Sequence, residues 1–180
     1  MPVKSRRPIQ NTQHSTLTYR ARQFVAALRA EVRAEEYELV SSLLTAGEQR
    51  LFTSMPTYDQ RHCLDVYLTL VDAGYCDPIL LRAALIHDCG KVDDDGRPMS
   101  LGWYVLATIL KRMPALYLAF ARGGSMTIRP IYVYAEHAWR GARLAAAAGS
   151  PPELVAIIRH YHDPAPNGPA AALQWADEQH

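Results

Sequence analysis

What most restricts this chain is its punctuation. Helix start and stop residues recur along its length, and no stretch shows the sustained period-two alternation of a half-buried strand. Residues 18–33 carry Phe24, Leu28 and Val32 at helical spacing, and a second short helix is expected over 35–44. Thr57, with Gln60 three residues on, has the pattern of a capping box. The helix it opens should run to about Ala73, with Leu64, Tyr67, Leu68 and Val71 on one face. Asp77-Pro78 pairs an N-cap with a proline at the first helical position, and Gly90 gives the stop. Ser100 opens a further helix, bent or divided at Pro114. Pro130 to Ala148 is the next, ended by Gly149. Ser150, with Glu153 three residues on, reads as another capping box, leading a helix to about His160, and Pro169 begins the last. The one β-prone run, Ile131 to Ala135, lies inside a helical pattern. The expected fold class is therefore all-α, a bundle of six to eight helices.

A chain of 180 residues is long enough to bury a real core. Its net charge of +1 gives no electrostatic case for nucleic acid or a membrane surface as partner. Lys4, Arg6 and Arg7 cluster beside Pro2 and Pro8, which reads as a solvated end. Cys63, Cys76 and Cys89 form an odd set without a C-x-x-C, as expected of reduced thiols in a cytoplasmic protein. The first 16 residues lack the apolar core of a signal peptide. The apolar zone from Leu101 to Ala121 is interrupted by Lys111, Arg112 and Pro114, which speaks against a membrane span. The expected organisation is a basic flexible tail over 1–16, a helical lead-in over 17–50 packed on the core, and the main domain over 51–180.

The stretch AALIHDCGK, Ala83 to Lys91, runs an apolar segment directly into an imidazole and a carboxylate. Burying such a pair is costly unless something compensates it. His62, His137, His160 and Asp177 are also flanked by apolar helical residues. Any one of them alone reads more simply as a satisfied core or surface group. Four imidazoles and two carboxylates turned into one helical interior call for a divalent cation, and the ligand mix suits iron, manganese, cobalt or zinc.

The order His62 … His87-Asp88 … Asp177 resembles the H…HD…D signature of the HD-domain superfamily of metal-dependent phosphohydrolases. Cys89-Gly90-Lys91 matches its frequent HD-x-G-K extension. The resemblance covers roughly residues 55–180, so the 51–180 segment is expected to be an HD domain around a buried metal site. The segments around His137 (HAWRGARLA) and His160 (AIIRH) are similar to HD proteins that hydrolyse diadenosine tetraphosphate, a two-metal branch. HD-GYP cyclic-dinucleotide phosphodiesterases are also similar. This chain lacks a GYP after Lys91, however, and carries Tyr58 where they have a glutamate.

The resemblance implies that His62, His87, Asp88 and Asp177 hold one metal. Asp88 would bridge to a second, held by His137 and His160. Two metals about 3.5–4 Å apart can share a hydroxide and clamp a phosphoryl group for in-line attack. Asp88 and Lys91 are then the expected catalytic residues. Lys91, Arg140 (three residues after His137, near the same helix face) and His162 are the expected contacts to a small phosphorylated substrate, for instance a nucleotide. For Lys91 the competing reading is a solvated partner of the acidic loop Asp93-Asp94-Asp95, for Arg140 a salt bridge elsewhere, and for His162 a surface position or a place behind the ligands. Two other functions fit the same ligands, an HD-fold di-iron oxygenase and a non-catalytic regulatory module that keeps the metal.

Overall fold

A computed structural model of the chain describes residues 31–93, 95–122 and 126–180. The expected tail over 1–16 and most of the expected helix over 18–33 lie outside the described residues; 31–33 are not helical. The fold is all-α, with ten α-helices among the described residues and one isolated bridge, Val92 to Pro98, in place of any strand.

Helices α1 (Ala34–Leu43) and α2 (Ala46–Ser54) come first. The second was not expected, although Thr45-Ala46-Gly47-Glu48 is a capping box in sequence. The Thr45 amide donates to Glu48 Oε2 at 3.0 Å and the Glu48 amide to Thr45 Oγ1 at 3.4 Å. Helix α3 (Thr57–Asp72) has Pro56, not Thr57, as N-cap, and α9 (Pro152–His160) likewise has Pro151 rather than Ser150. Both prolines sit at φ −64° with extended ψ, so the fixed ring torsion supplies the entry conformation a polar cap would otherwise set. Gln60 instead donates to Met55 O at 2.7 Å, and the Ser150 hydroxyl donates to Glu48 Oε1 at 2.7 Å.

Helix α4 (Pro78–Ile86) starts as expected, with Asp77 Oδ1 accepting from the Ile79 amide at 2.9 Å. It ends four residues before Gly90. His87 caps it, Asp88 sits at φ −92°, ψ 0°, and Cys89–Lys91 form a 3₁₀ turn. Gly90 has a negative φ, so its need is space rather than left-handed backbone. A Cβ there would lie 2.0 Å from the His137 carbonyl oxygen, so the turn can press this closely on the chain at His137 only as glycine. The expected single helix over 130–148 is two, α7 (Arg129–Ala135) and α8 (His137–Ala147), broken at Glu136. α5 (Leu101–Leu110) and α6 (Pro114–Ala121) divide at Pro114 as expected, and α10 (Gly168–Asp177) closes the chain.

The interior has two clusters. The main one gathers Leu64, Leu70, Leu80, Leu85, Ile86, Leu154, Ile158 and Leu173, with Val40 and Phe52 added by α1 and α2. The smaller one joins Leu110, Ala121 and Ile131 from α5, α6 and α7. The 3₁₀ turn packs against α8 and α7, where the two clusters meet. Tyr58 donates to the Met99 carbonyl, which joins α3 to the segment before α5. No helix among the described residues is long and apolar enough to cross a membrane.

Candidate metal centre

The end of α4 delivers His87 and Asp88, both essentially buried, into a cluster completed by α3, α8, α10 and the turn after α9. Two imidazole pairs flank the Asp88 carboxylate. On one side His62 and His87 share Asp177. His62 Nε2 is 2.8 Å from Asp177 Oδ1, and His87 Nε2 is 3.6 Å from the same oxygen. On the other side His137 Nε2 lies 3.1 Å from His162 Nε2 and 2.8 Å from the Tyr161 hydroxyl. Between them, Asp88 Oδ1 is 3.5 Å from His87 Nε2 and 3.7 Å from His137 Nε2, and Oδ2 is 3.6 Å from His62 Nε2.

The tautomers follow from the second ring nitrogens. His87 Nδ1 meets the Ala84 carbonyl at 2.8 Å, and His137 Nδ1 meets the Tyr134 carbonyl. A carbonyl only accepts, so each Nδ1 carries the proton and each Nε2 faces the cluster. His87 Nε2 is buried and has no hydrogen-bond partner. A buried nitrogen in that position costs stability unless a partner fills the space before it. It faces carboxylate oxygens at 3.5–3.6 Å, beyond hydrogen-bond reach. His62, His87 and Asp177 offer ligand atoms within 4.8 Å of one another, which fits a shared cation. Cys63, His87 and Asp88 form a second such group. Cys63 Sγ, however, lies 3.6 Å from His87 Nδ1, which is already held by Ala84.

Charge in the cluster is strongly coupled. Burial pushes the Asp88 carboxyl up, but His87, Lys91, His62 and His137 around it hold it well below the ordinary carboxylate range. Burial pushes Asp177 up as well, and the hydrogen bond from His62 leads the effects that hold it far down. Burial lowers His87, whereas Asp88 draws it well above the ordinary imidazole value. His137 is pushed down to about 3 by burial and by the Lys91 charge, and burial also lowers His162. That second pair is therefore neutral, the form in which imidazole binds a metal.

The structure brings His62, His87, Asp88, His137 and Asp177 together and leaves His160 out. The buried face of α9 and its C-cap is Leu154, Ile157, Ile158 and Tyr161. This i, i+3, i+4, i+7 pattern turns His160 outward, where its Nδ1 pairs with Asp163 at 2.8 Å. His162, read as a substrate contact, occupies the place expected of His160. Arg140 holds the backbone of the turn beside the cluster. Its Nε donates to Gly90 O at 3.2 Å and its Nη2 to Val92 O at 3.1 Å, which pins the turn that follows Asp88. Among the described residues Lys91 is not a partner of the acidic loop. Its Nζ is turned inward onto Asp88 Oδ2, lies 3.9 Å from Asp59 Oδ1, and stands 5.1 Å over the Tyr104 ring. The loop carboxylates Asp93 and Asp95 pair instead with Arg129.

Sequence reading missed Asp59, Tyr104 and Tyr161. Asp59 is buried, accepts from the Tyr104 hydroxyl at 2.9 Å, and is pushed up to about 6 chiefly by burial. Its spacing of three from His62 on one helix was the available signal. Tyr161 stacks on His162 with ring centroids 4.0 Å apart. No protein-family model, curated protein or solved structure matches the chain.

The revised assignment makes a direct prediction. His162→Ala should lower the metal content of the purified protein, whereas His160→Ala should leave it unchanged. Elemental analysis of both variants checks this, and a loss confined to the His160 variant would restore the original assignment.

Proposed function

We propose that this chain is a metal-dependent phosphohydrolase of the HD type, acting on a small phosphoester. The observation that carries the reading is His87 Nε2, buried without a partner among the carboxylates of Asp88 and Asp177, with the Lys91 ammonium against the same Asp88. His62, His87, Asp88 and Asp177 would hold one divalent transition metal. His137, His162 and Asp88 would hold a second. A divalent metal in such a site supplies a Lewis acid and a water that is acidic enough to become a nucleophile near neutral pH.

The chain's own residues set the rest. Asp88 lies between the two imidazole pairs and links them. Tyr161 fixes the neutral His137–His162 pair by its hydroxyl and its ring face. Lys91 places a positive charge where the cluster borders a cleft. Asp59 and the faces of Tyr104 and Tyr134 hold its ammonium in place. A substrate phosphoryl group entering there meets a cation that is already positioned, with little ordering left to do.

The test replaces Lys91 with methionine, which keeps the stem and removes the charge. In manganese-loaded protein assayed on a panel of phosphomonoesters and phosphodiesters, wild type should hydrolyse at least one of them. Lys91→Met should lower kcat/KM by roughly 10- to 100-fold, the value of one charge-assisted hydrogen bond. Its metal content should hold or rise, because the ammonium and a metal compete for Asp88. Absence of metal-dependent turnover across the panel would remove the hydrolase reading. Oxygen consumption by the iron-loaded protein would favour an oxygenase.

A further inference from the structure

A cleft of about 320 Å³ opens beside the 3₁₀ turn, and Lys91 forms part of its wall. Arg97 and Arg129 add two guanidinium groups, while Met99, Trp103 and Pro130 give it an apolar side. We propose that this cleft is the binding subsite for a phosphate monoester carrying a flat ring, of about the size of a mononucleotide, with the phosphate toward Lys91 and the ring against Trp103. The proposal rests on the hydrolase reading only for what happens to the phosphate; the cleft can bind its ligand whether or not the ester is cleaved.

Three features favour this class. The first is charge. Lys91, Arg97 and Arg129 line the cleft, with Asp93 as the one carboxylate among the described lining residues. Lys91 is committed to Asp88, and Arg129 meets Asp93 at 3.6 Å and Asp95 at 3.3 Å. Both Arg129 and Asp95 are more than half exposed, so that pair is screened and weak. Arg97 is exposed and has no ion pair among the described residues. A planar guanidinium in that position suits the oxygens of a phosphate.

The second feature is a firm wall. Trp103 is half-buried, packed on the smaller core cluster and also part of the cleft lining. A partly fixed indole beside cations is a surface for stacking a flat ring, which is worth more than its area alone. The loop that carries Arg97 is held from both ends. Asp93 N donates to Arg97 O at 3.0 Å, Asp93 Oδ1 accepts from the Arg97 amide at 2.8 Å, and Val92 bridges Pro98. The third feature is size and position. The volume lies at the lower end of the roughly 300–1,000 Å³ range of small-molecule sites, which suits one ring and one phosphate better than a dinucleotide. Lys91 forms part of the cleft wall and its ammonium pairs with Asp88, so one residue joins the cleft to the carboxylate cluster.

The test is equilibrium binding of AMP, GMP, CMP and UMP, with adenosine and inorganic phosphate as the two halves of the ligand. It uses the full chain as purified, Arg97→Ala, Trp103→Leu, and Lys111→Ala as a surface control. At least one nucleotide should bind wild type at least ten-fold more tightly than either half. Arg97→Ala should weaken that nucleotide about ten-fold, Trp103→Leu should weaken it while leaving inorganic phosphate unchanged, and Lys111→Ala should have no effect. Circular dichroism of the Trp103 variant separates lost binding from lost fold, and the exposed Arg97 provides the test if that variant fails to fold. If no nucleotide binds, or if Arg97→Ala binds like wild type, the subsite is wrong. Nucleotide binding that depends on Arg97 without any metal-dependent phosphoester hydrolysis would uphold the subsite and remove the hydrolase reading. Hydrolysis with unchanged KM in the Arg97 variant would do the reverse.

Discussion

Replacing Asp88 with asparagine is expected to strip the protein of nearly all its divalent transition metal and to abolish any metal-dependent turnover. Among the described residues Asp88 is the one carboxylate within 4 Å of both imidazole pairs, with its oxygens 3.5, 3.6 and 3.7 Å from His87, His62 and His137. Each of the other ligands serves one side of the cluster. Asparagine has the same shape but no charge, so the loss reports ligation rather than packing. Removing a negative charge also leaves the Lys91 ammonium and the His87 ring without their main compensation. The metal-free variant should therefore be less stable than the metal-free wild type. The measurement is metal per chain after anaerobic purification in iron- or manganese-supplied medium. Wild type should hold up to two, and a wild type with no stoichiometric metal would sink the central reading.

A second large effect lies outside the His/Asp cluster. Glu48 is fully buried, and its carboxylate accepts from Arg82 Nε at 3.1 Å, Arg82 Nη2 at 2.7 Å and the Ser150 hydroxyl at 2.7 Å. One carboxylate thus joins α2, α4 and the α8–α9 turn. Glu48→Ala leaves a guanidinium and a hydroxyl without their acceptor in a largely buried place, at a cost of about 3–5 kcal/mol. For a chain of this size that corresponds to a fall in Tm on the order of 10 °C. Replacing Glu48 and Arg82 together by methionine should recover much of it, since no buried charge then lacks a partner. A Tm for Glu48→Ala within about 2 °C of wild type would show that water reaches the pair.

The same pair predicts acid sensitivity. Burial pushes the Glu48 carboxyl up, but its hydrogen bonds from Arg82, Ser150 and Thr45 outweigh this and hold it below its ordinary 4.5. Glu36, opposed by burial in the same way, is brought down to about 2 by Arg33 and Arg61. Groups lowered on folding stabilise the protein above their unfolded value, and that contribution is lost as pH falls below about 4.5. Urea midpoints measured from pH 6 to pH 3 should fall for wild type and fall less steeply for Glu48→Ala.

These particulars show what was legible in the sequence. The all-α class followed from helix punctuation, and the punctuation was sound where a polar cap directly preceded a proline, as at Asp77-Pro78. It failed where a capping-box pattern had a proline beside it. Neither Thr57 nor Ser150 caps anything, because Pro56 and Pro151 hold the extended position at the helix entry. The real box, Thr45 to Glu48, was passed over between two expected elements. Glu136 gives no local sign of the break before His137. That break comes from tertiary packing, since the chain there must meet the Gly90 turn. The cluster of His and Asp side chains was legible as a set of residue types at helix ends. Choosing between His160 and His162 needed the apolar stripe from Leu154 through Ile158 to be continued to Tyr161. The role of Lys91 could not be read locally at all, because Asp59 and Tyr104, which hold it, come from different helices.

The division of the interior into two clusters gives the molecule a degree of freedom in its descent. The helices that carry the His/Asp cluster pack mostly on the larger cluster, whereas Trp103 packs on the smaller one. Substitution at Trp103 can reshape one wall of the cleft while leaving the spacing of His62, His87 and Asp177 as it is. A lineage carrying this chain can thus vary that wall by drift, with the His/Asp cluster inherited intact.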